Sequence, residues 1–156
     1  MSAVLSLGSN LGDRLAHLRG GLEVLRPYAV SSVWETAPLG GVPQDDFLNL
    51  VALVDADATE AWERAQRAER GAERRRAVRW GPRTLDVDVV LAAPPVPPGL
   101  EVPHPRAAER AFVLAPWLEV QPDAVLPGAG PADALLAALG TSGVRRTRLT
   151  TGWGAP

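Results

Sequence analysis

The mostly apolar residues 2 to 8 (SAVLSLG) read as a short strand, and then a new period begins: Leu15, Leu18, Leu22 and Leu25 recur at spacings of three and four until Pro27. A strand puts successive side chains on opposite faces, and the spacing of three and four makes one apolar stripe on a helix. The chain therefore opens as strand, Gly8-Ser9-Asn10 turn and amphipathic helix. Residues 29 to 36 (AVSSVWET) and 47 to 55 (FLNLVALVD) return to β-branched and aromatic residues. In the second run Phe47, Asn49, Val51 and Leu53 share one face of a strand, and Leu48, Leu50, Ala52 and Val54 share the other. Asp57 followed by Glu60 predicts a capped helix running to about residue 72, and TLDVDVVLA (84 to 92) reads as strand again.

The order βαββαβ predicts an α+β fold of the ferredoxin-like, split βαβ kind, an antiparallel sheet with helices on one face. Beyond a proline-rich stretch (AAPPVPPG, 92 to 99), a helix is expected from about residue 105 that Pro116 should stop or kink. PADALLAALG (131 to 140) predicts a short helix closed by Gly140, which makes a C-terminal helical extension. A chain of 156 residues, 46% of them apolar, can bury one good core, so residues 1–156 are expected to form a single domain.

Composition narrows the chemistry. There is no basic leader and no run of 18 apolar residues, which predicts a cytoplasmic protein without a membrane partner. Cysteine is absent and only His17 and His104 represent histidine, so a metal would sit mainly on oxygen. All 16 cationic residues are arginine, which removes lysine chemistry such as a P-loop or a Schiff base. Eight of them lie between residues 64 and 83 and give that stretch a net charge of +6 against −8 for the rest. One basic cluster on an acidic protein suits a small polyanion better than a nucleic-acid duplex.

Two connections exceed what the fold needs: TAPLGGVPQDDF (36 to 47) and the arginine-rich run from about 72 to 83. Both leave neighbouring strand ends and can close over one cleft. Beside them stands RWGPRTLDVDVV (79 to 90), in which Asp86 and Asp88 share a strand face while Val87 and Val89 point to the core. Adjacent like charges repel unless a cation stands by them, and oxygen-only donors next to arginines favour Mg²⁺ shared with substrate phosphates. A solvated strand face with Arg83 as counter-charge is the plainer reading of a bare D-x-D pair, and it is the surrounding segment that decides between them.

That segment, RWGPRTLDVD, resembles the signature of the 6-hydroxymethyl-7,8-dihydropterin pyrophosphokinase family. Three further stretches match the family in the same order: LSLGSNLGDR (5 to 14), ETAPLGGVPQDDFLNLV (35 to 51) and VPHPRAAERAFVLAPW (102 to 117). The likeness weakens after about residue 120. It implies a monomeric enzyme that moves diphosphate from ATP to the hydroxymethyl group of a reduced pterin, releasing AMP, in folate biosynthesis. Asp86 and Asp88 would bind two Mg²⁺ ions. Arg74, Arg76, Arg83 and Arg110, with His104, would contact the triphosphate through charge-assisted hydrogen bonds. The likeness also places Gln66, Glu69, Trp80 and Val89 near the nucleotide. Phe47 and Phe112 would stack on the pterin, Asn49 would bind its edge, and Thr36 and Leu39 would line the ring.

The chain departs from the family pattern at several positions. Phe47 stands where the family usually has Tyr, Ala37 where it has a second Pro, and Glu73 where it has Gly. The 92 to 101 connection is short and lacks the family's common arginine. An RNA-binding domain of the same fold would need exposed aromatics on strands 2 to 8 and 84 to 92, and these are missing. A D-x-D nucleotide-sugar transferase would need a longer chain. A catalytically silent metabolite-binding domain would have no use for both aspartates and the arginines.

Overall fold

The computed structural model describes residues 2–37, 46–73 and 84–153. Strand β1 (Ala3–Ser9) leads into helix α1 (Arg14–Leu25), whose first turn is capped by the Asp13 carboxylate accepting from the Ala16 amide at 3.1 Å. Strands β2 (Ala29–Val30) and β3 (Trp34–Thr36) both pair with β4 (Phe47–Val54), so the expected strand over 29 to 36 is interrupted between them. Helix α2 (Ala58–Glu73) follows, with Asp57 accepting from the Glu60 amide at 2.9 Å, and then strand β5 (Asp86–Leu91).

The strands order as β5-β1-β4-β3, with β8 (Val144–Arg146) added outside β3, and every pairing is antiparallel. Counting β2 and β3 as one broken strand, this is the ferredoxin-like order expected from βαββαβ. The two faces of the sheet follow the alternation. Leu5, Leu7, Leu48, Leu50, Val87 and Val89 lie in a core with Leu18, Leu22 and Leu25 of α1 and the alanines of α2. Ala61, Ala65, Ala68 and Ala72 form a stripe of small residues on α2 facing that core. Gly21 of α1 serves the same closeness, because a Cβ there would come within 3.0 Å of Leu85 and 3.1 Å of Leu7.

The second face carries more than the sequence predicted. Val4, Val51, Leu53 and Val90 are covered by helix α3 (Ala111–Val120) and by Ala132 of α4 (Ala132–Leu139), so helices lie on both faces rather than one. The expected helix from about residue 105 is a single 3-10 turn (Ala107–Glu109) followed by α3, with Arg110 extended between them. Pro116 neither stops nor ends α3: the helix runs through it. Its missing donor is offset by packing, since Val113, Leu114 and Trp117 are buried against the sheet. The short helix closed by Gly140 is present at 132–139, with Gly140 at φ 79°. A small hairpin of β6 (Val125–Leu126) and β7 (Gly130–Pro131), and strand β8 itself, were not predicted.

Candidate active site

The cleft occupies one end of the α3 face of the sheet. Antiparallel register puts Asp86 beside Gly8, Gly8 beside Asn49 and Thr36 beside Phe47, so four strands present these side chains side by side. Asp86 and Asn49 stand two strands apart, roughly 10 Å at ordinary strand spacing. From above, the extended residue Arg110 and the first turn of α3 bring Arg110 and Phe112 over the same face. Together with Ser6, Ala37, Arg106, Glu109, Gly143 and Val144 they enclose about 690 Å³, a volume suited to a small-molecule site.

The two ends of this cleft differ chemically. At one end Asp86 and Asp88 face the cavity from β5, and an Arg110 guanidinium nitrogen lies 3.5 Å from an Asp88 carboxylate oxygen. The same guanidinium sits 5.5 Å from the centre of the Phe112 ring, a cation–π arrangement that fixes both groups. At the other end Asn49 is 3% exposed and donates from Nδ2 to Thr36 Oγ1 at 2.8 Å. Gly8 leaves room for that amide, because a Cβ on it would lie 3.0 Å from Asn49 Oδ1. Asn49 is thus a buried amide held by one hydrogen bond, with the Phe47 ring beside it on the same strand face.

Among the described residues there is no cluster of three or more His, Cys, Asp or Glu that could hold a metal by itself. The donor set nonetheless fits Mg²⁺, which takes one or two carboxylates and completes its shell with water and substrate phosphates. Asp86 and Asp88 are such a pair and they open onto the cavity.

The remaining expected residues are distributed as follows. His104 is anchored by its backbone amide to the Val90 carbonyl at 2.8 Å, and its Nδ1 accepts from the Arg106 amide at 3.1 Å. It borders the cavity's Arg106 without itself being in the lining. Glu69 reaches from α2 to accept the Val87 amide at 3.0 Å, so its carboxylate secures the outer edge of the aspartate strand. Gln66 lies half-buried on α2 and is outside the lining. Val89 has its side chain buried in the core with α1 and α2, because strand alternation turns it away from the face that carries the aspartates, so only its backbone is open to a ligand. Leu39, Arg74, Arg76, Trp80 and Arg83 lie outside the described residues.

Sequence reasoning missed Ser6, Gly8, Arg106, Glu109, Gly143 and Val144 as lining residues. Ser6 and Gly8 could have been found from β1 alone, as the small positions on the face opposite Leu5 and Leu7. Gly143 and Val144 had no such signal, since only the pairing of Val144 with Thr36 brings β8 to the cleft.

Fold and cleft define the class first: an α+β protein whose small-molecule site is laid across one face of an antiparallel sheet. A family model described as 7,8-dihydro-6-hydroxymethylpterin-pyrophosphokinase matches residues 4–122. Among curated proteins, a Mycobacterium leprae 2-amino-4-hydroxy-6-hydroxymethyldihydropteridine pyrophosphokinase is 47% identical over 170 residues, covering 94% of this chain and 89% of that protein. Proteins of the same name from Mycobacterium tuberculosis (strain ATCC 25618 / H37Rv) and Bacillus subtilis are 45% and 41% identical, covering 87% and 76% of this chain and 82% and 77% of their own. The chain belongs to the 7,8-dihydro-6-hydroxymethylpterin pyrophosphokinase family, and it is an enzyme, a pyrophosphokinase of folate biosynthesis. Among its described residues no helix is long and apolar enough to cross a membrane.

Proposed function

We propose that the enzyme transfers the terminal diphosphate of ATP to the hydroxymethyl oxygen of 6-hydroxymethyl-7,8-dihydropterin. The observation that carries this reading is the two-ended cleft, with a carboxylate pair, Arg110 and Phe112 at one end and the buried Asn49 amide beside Phe47 at the other. In the proposed step the acceptor oxygen attacks the β-phosphorus in line, the bond from that phosphorus to the α–β bridging oxygen breaks, and AMP departs while the hydroxyl proton is lost to solvent.

Asp86 and Asp88 would hold two Mg²⁺ ions, which when bound supply positive charge to the phosphate oxygens. Arg110, anchored beside Asp88, would bind a phosphate oxygen through its guanidinium fork, and His104, with Nδ1 engaged by the Arg106 amide, would offer Nε2 to another. Arg74, Arg76 and Arg83 would contact the triphosphate as well, and Gln66 and Trp80 would lie near the nucleotide. Phe47 and Phe112 would sandwich the pterin, Asn49 would hydrogen-bond its edge, and Thr36 and Leu39 would line it. No protein nucleophile takes part, so catalysis rests on alignment and charge. The enzyme would act as a cytoplasmic monomer folded as one domain over residues 1–156, without a nucleic-acid partner.

The test is acceptor dependence. With Mg²⁺ present, AMP should form from ATP only after hydroxymethyl-dihydropterin is added, and ADP as the main nucleotide product would refute diphosphate transfer.

A further inference from the structure

Glu35 stands on β3 next to Thr36, and strand alternation puts its carboxylate on the face away from the cleft, where its side chain is only 13% exposed. A carboxylate so enclosed needs cations around it. Two guanidinium groups meet it there: Arg14 at 3.4 Å, and Arg145 of β8 in close contact. Arg14 has a second acceptor. Its Nη1 also donates to the Asp46 backbone carbonyl at 2.6 Å.

Arg14 is the first residue of α1, where the helix dipole opposes a positive charge. Helix formation therefore gives no reason for an arginine at this position, whereas its two acceptors do. Asp46 immediately precedes Phe47, and Glu35 immediately precedes Thr36. One guanidinium thus joins the backbone beside one wall of the cleft to the strand that carries another. Both contacts are made by the one Nη1, whose directions are set by the planar guanidinium, a constraint that an ammonium group on a flexible stem lacks.

We propose that Arg14 is a positioning residue for the acceptor slot: by holding the Asp46 carbonyl against Glu35, it sets the pitch of Phe47 relative to Asn49 and Thr36. Arg145 completes the neutralisation of Glu35 from the solvent side. The inference rests on the reading of Phe47 and Asn49 as acceptor-binding residues. It adds a residue that touches neither substrate and acts from the opposite face of the sheet.

The test measures two affinities on each protein, for hydroxymethyl-dihydropterin and for a nonhydrolysable ATP analogue with Mg²⁺, alongside thermal unfolding. Arg14→Ala removes a charge-assisted hydrogen bond from the backbone next to Phe47, so acceptor affinity should fall about tenfold. Nucleotide affinity should stay within about twofold. Arg14→Lys keeps the charge without the rigid guanidinium plane and should lose roughly threefold on the acceptor alone. Acceptor affinity unchanged in Arg14→Ala, or equal losses for both ligands, overturns the proposal. Should Arg14→Ala fail to fold, Arg14→Lys decides by the same comparison. Wild-type protein that binds no pterin at all would instead sink the acceptor reading itself.

Discussion

Adding one methyl group at Gly8 should weaken acceptor binding and spare nucleotide binding. Gly8 lies within β1 and has no left-handed backbone requirement, so alanine is sterically acceptable to the main chain. Its Cβ, however, would stand 3.0 Å from Asn49 Oδ1 and 3.8 Å from Phe47 Cδ1. Carbon–oxygen contacts become comfortable near 3.4 Å, so the amide must retreat by about 0.4 Å. Asn49 has little freedom to do so, being 3% exposed and tied through Nδ2 to Thr36. Turning the amide off its rotamer costs about 0.5–1.5 kcal/mol, and loosening the Thr36 bond adds a similar amount. A net loss of about 1.5 kcal/mol is roughly tenfold in acceptor affinity. Titration of hydroxymethyl-dihydropterin into wild type and Gly8→Ala reads this directly. The unfolding temperature should fall by no more than a few degrees, because the lower entropy of the unfolded chain with alanine offsets part of the strain in the folded protein. Unaltered acceptor affinity, or an equal loss of nucleotide affinity, would refute the placement of Asn49 in the acceptor slot.

Asp86→Ala and Asp88→Ala should each lower turnover by several orders of magnitude, since each removes a carboxylate from the phosphate end; rates near wild type in both would remove the aspartates from the reaction. Asn49→Ala and Phe112→Ala should weaken pterin binding while leaving an ATP analogue bound as before, and parallel losses for both ligands would point to a folding defect. Glu119 of α3 accepts from the Ser32 amide at 2.8 Å, the Ser32 hydroxyl at 2.7 Å and Trp34 Nε1 at 3.1 Å. Glu119→Ala should therefore cost about 3 kcal/mol and roughly 10 °C in unfolding temperature, and a shift under about 2 °C would show that these bonds contribute little.

What the sequence disclosed follows from which signals are local. Period-two alternation in FLNLVALV and TLDVDVV sorted both strands correctly: Leu48, Leu50, Val87 and Val89 went to one core, and Asn49, Asp86 and Asp88 to the cleft face. The same alternation spoke against Val89 as a nucleotide contact through its side chain. Helix α3 was less legible, because proline normally ends helices and nothing local reveals that buried Trp117 and Leu114 hold the chain helical around Pro116. The extended residue Arg110, which aims this arginine at Asp88, is equally a product of packing. Strand β8 was invisible for a different reason. Val144-Arg145-Arg146 has no strand-like alternation of its own and is a strand only because β3 offers it an open edge. Its contributions to the cleft through Val144, and to Glu35 through Arg145, depend on a pairing more than 100 residues apart in the chain.

The central claim is that this cleft brings a pterin hydroxyl to the β-phosphorus of ATP, and the fate of label in the products tests it most directly. The enzyme would be mixed with Mg²⁺, hydroxymethyl-dihydropterin and ATP carrying radiolabel at either the α- or the γ-phosphorus, and the products separated. The account predicts all transferred γ-label on the pterin as its diphosphate and all α-label in AMP. Label from the γ-position appearing on a pterin monophosphate together with labelled ADP from the α-position, or γ-label released as inorganic phosphate, would contradict it.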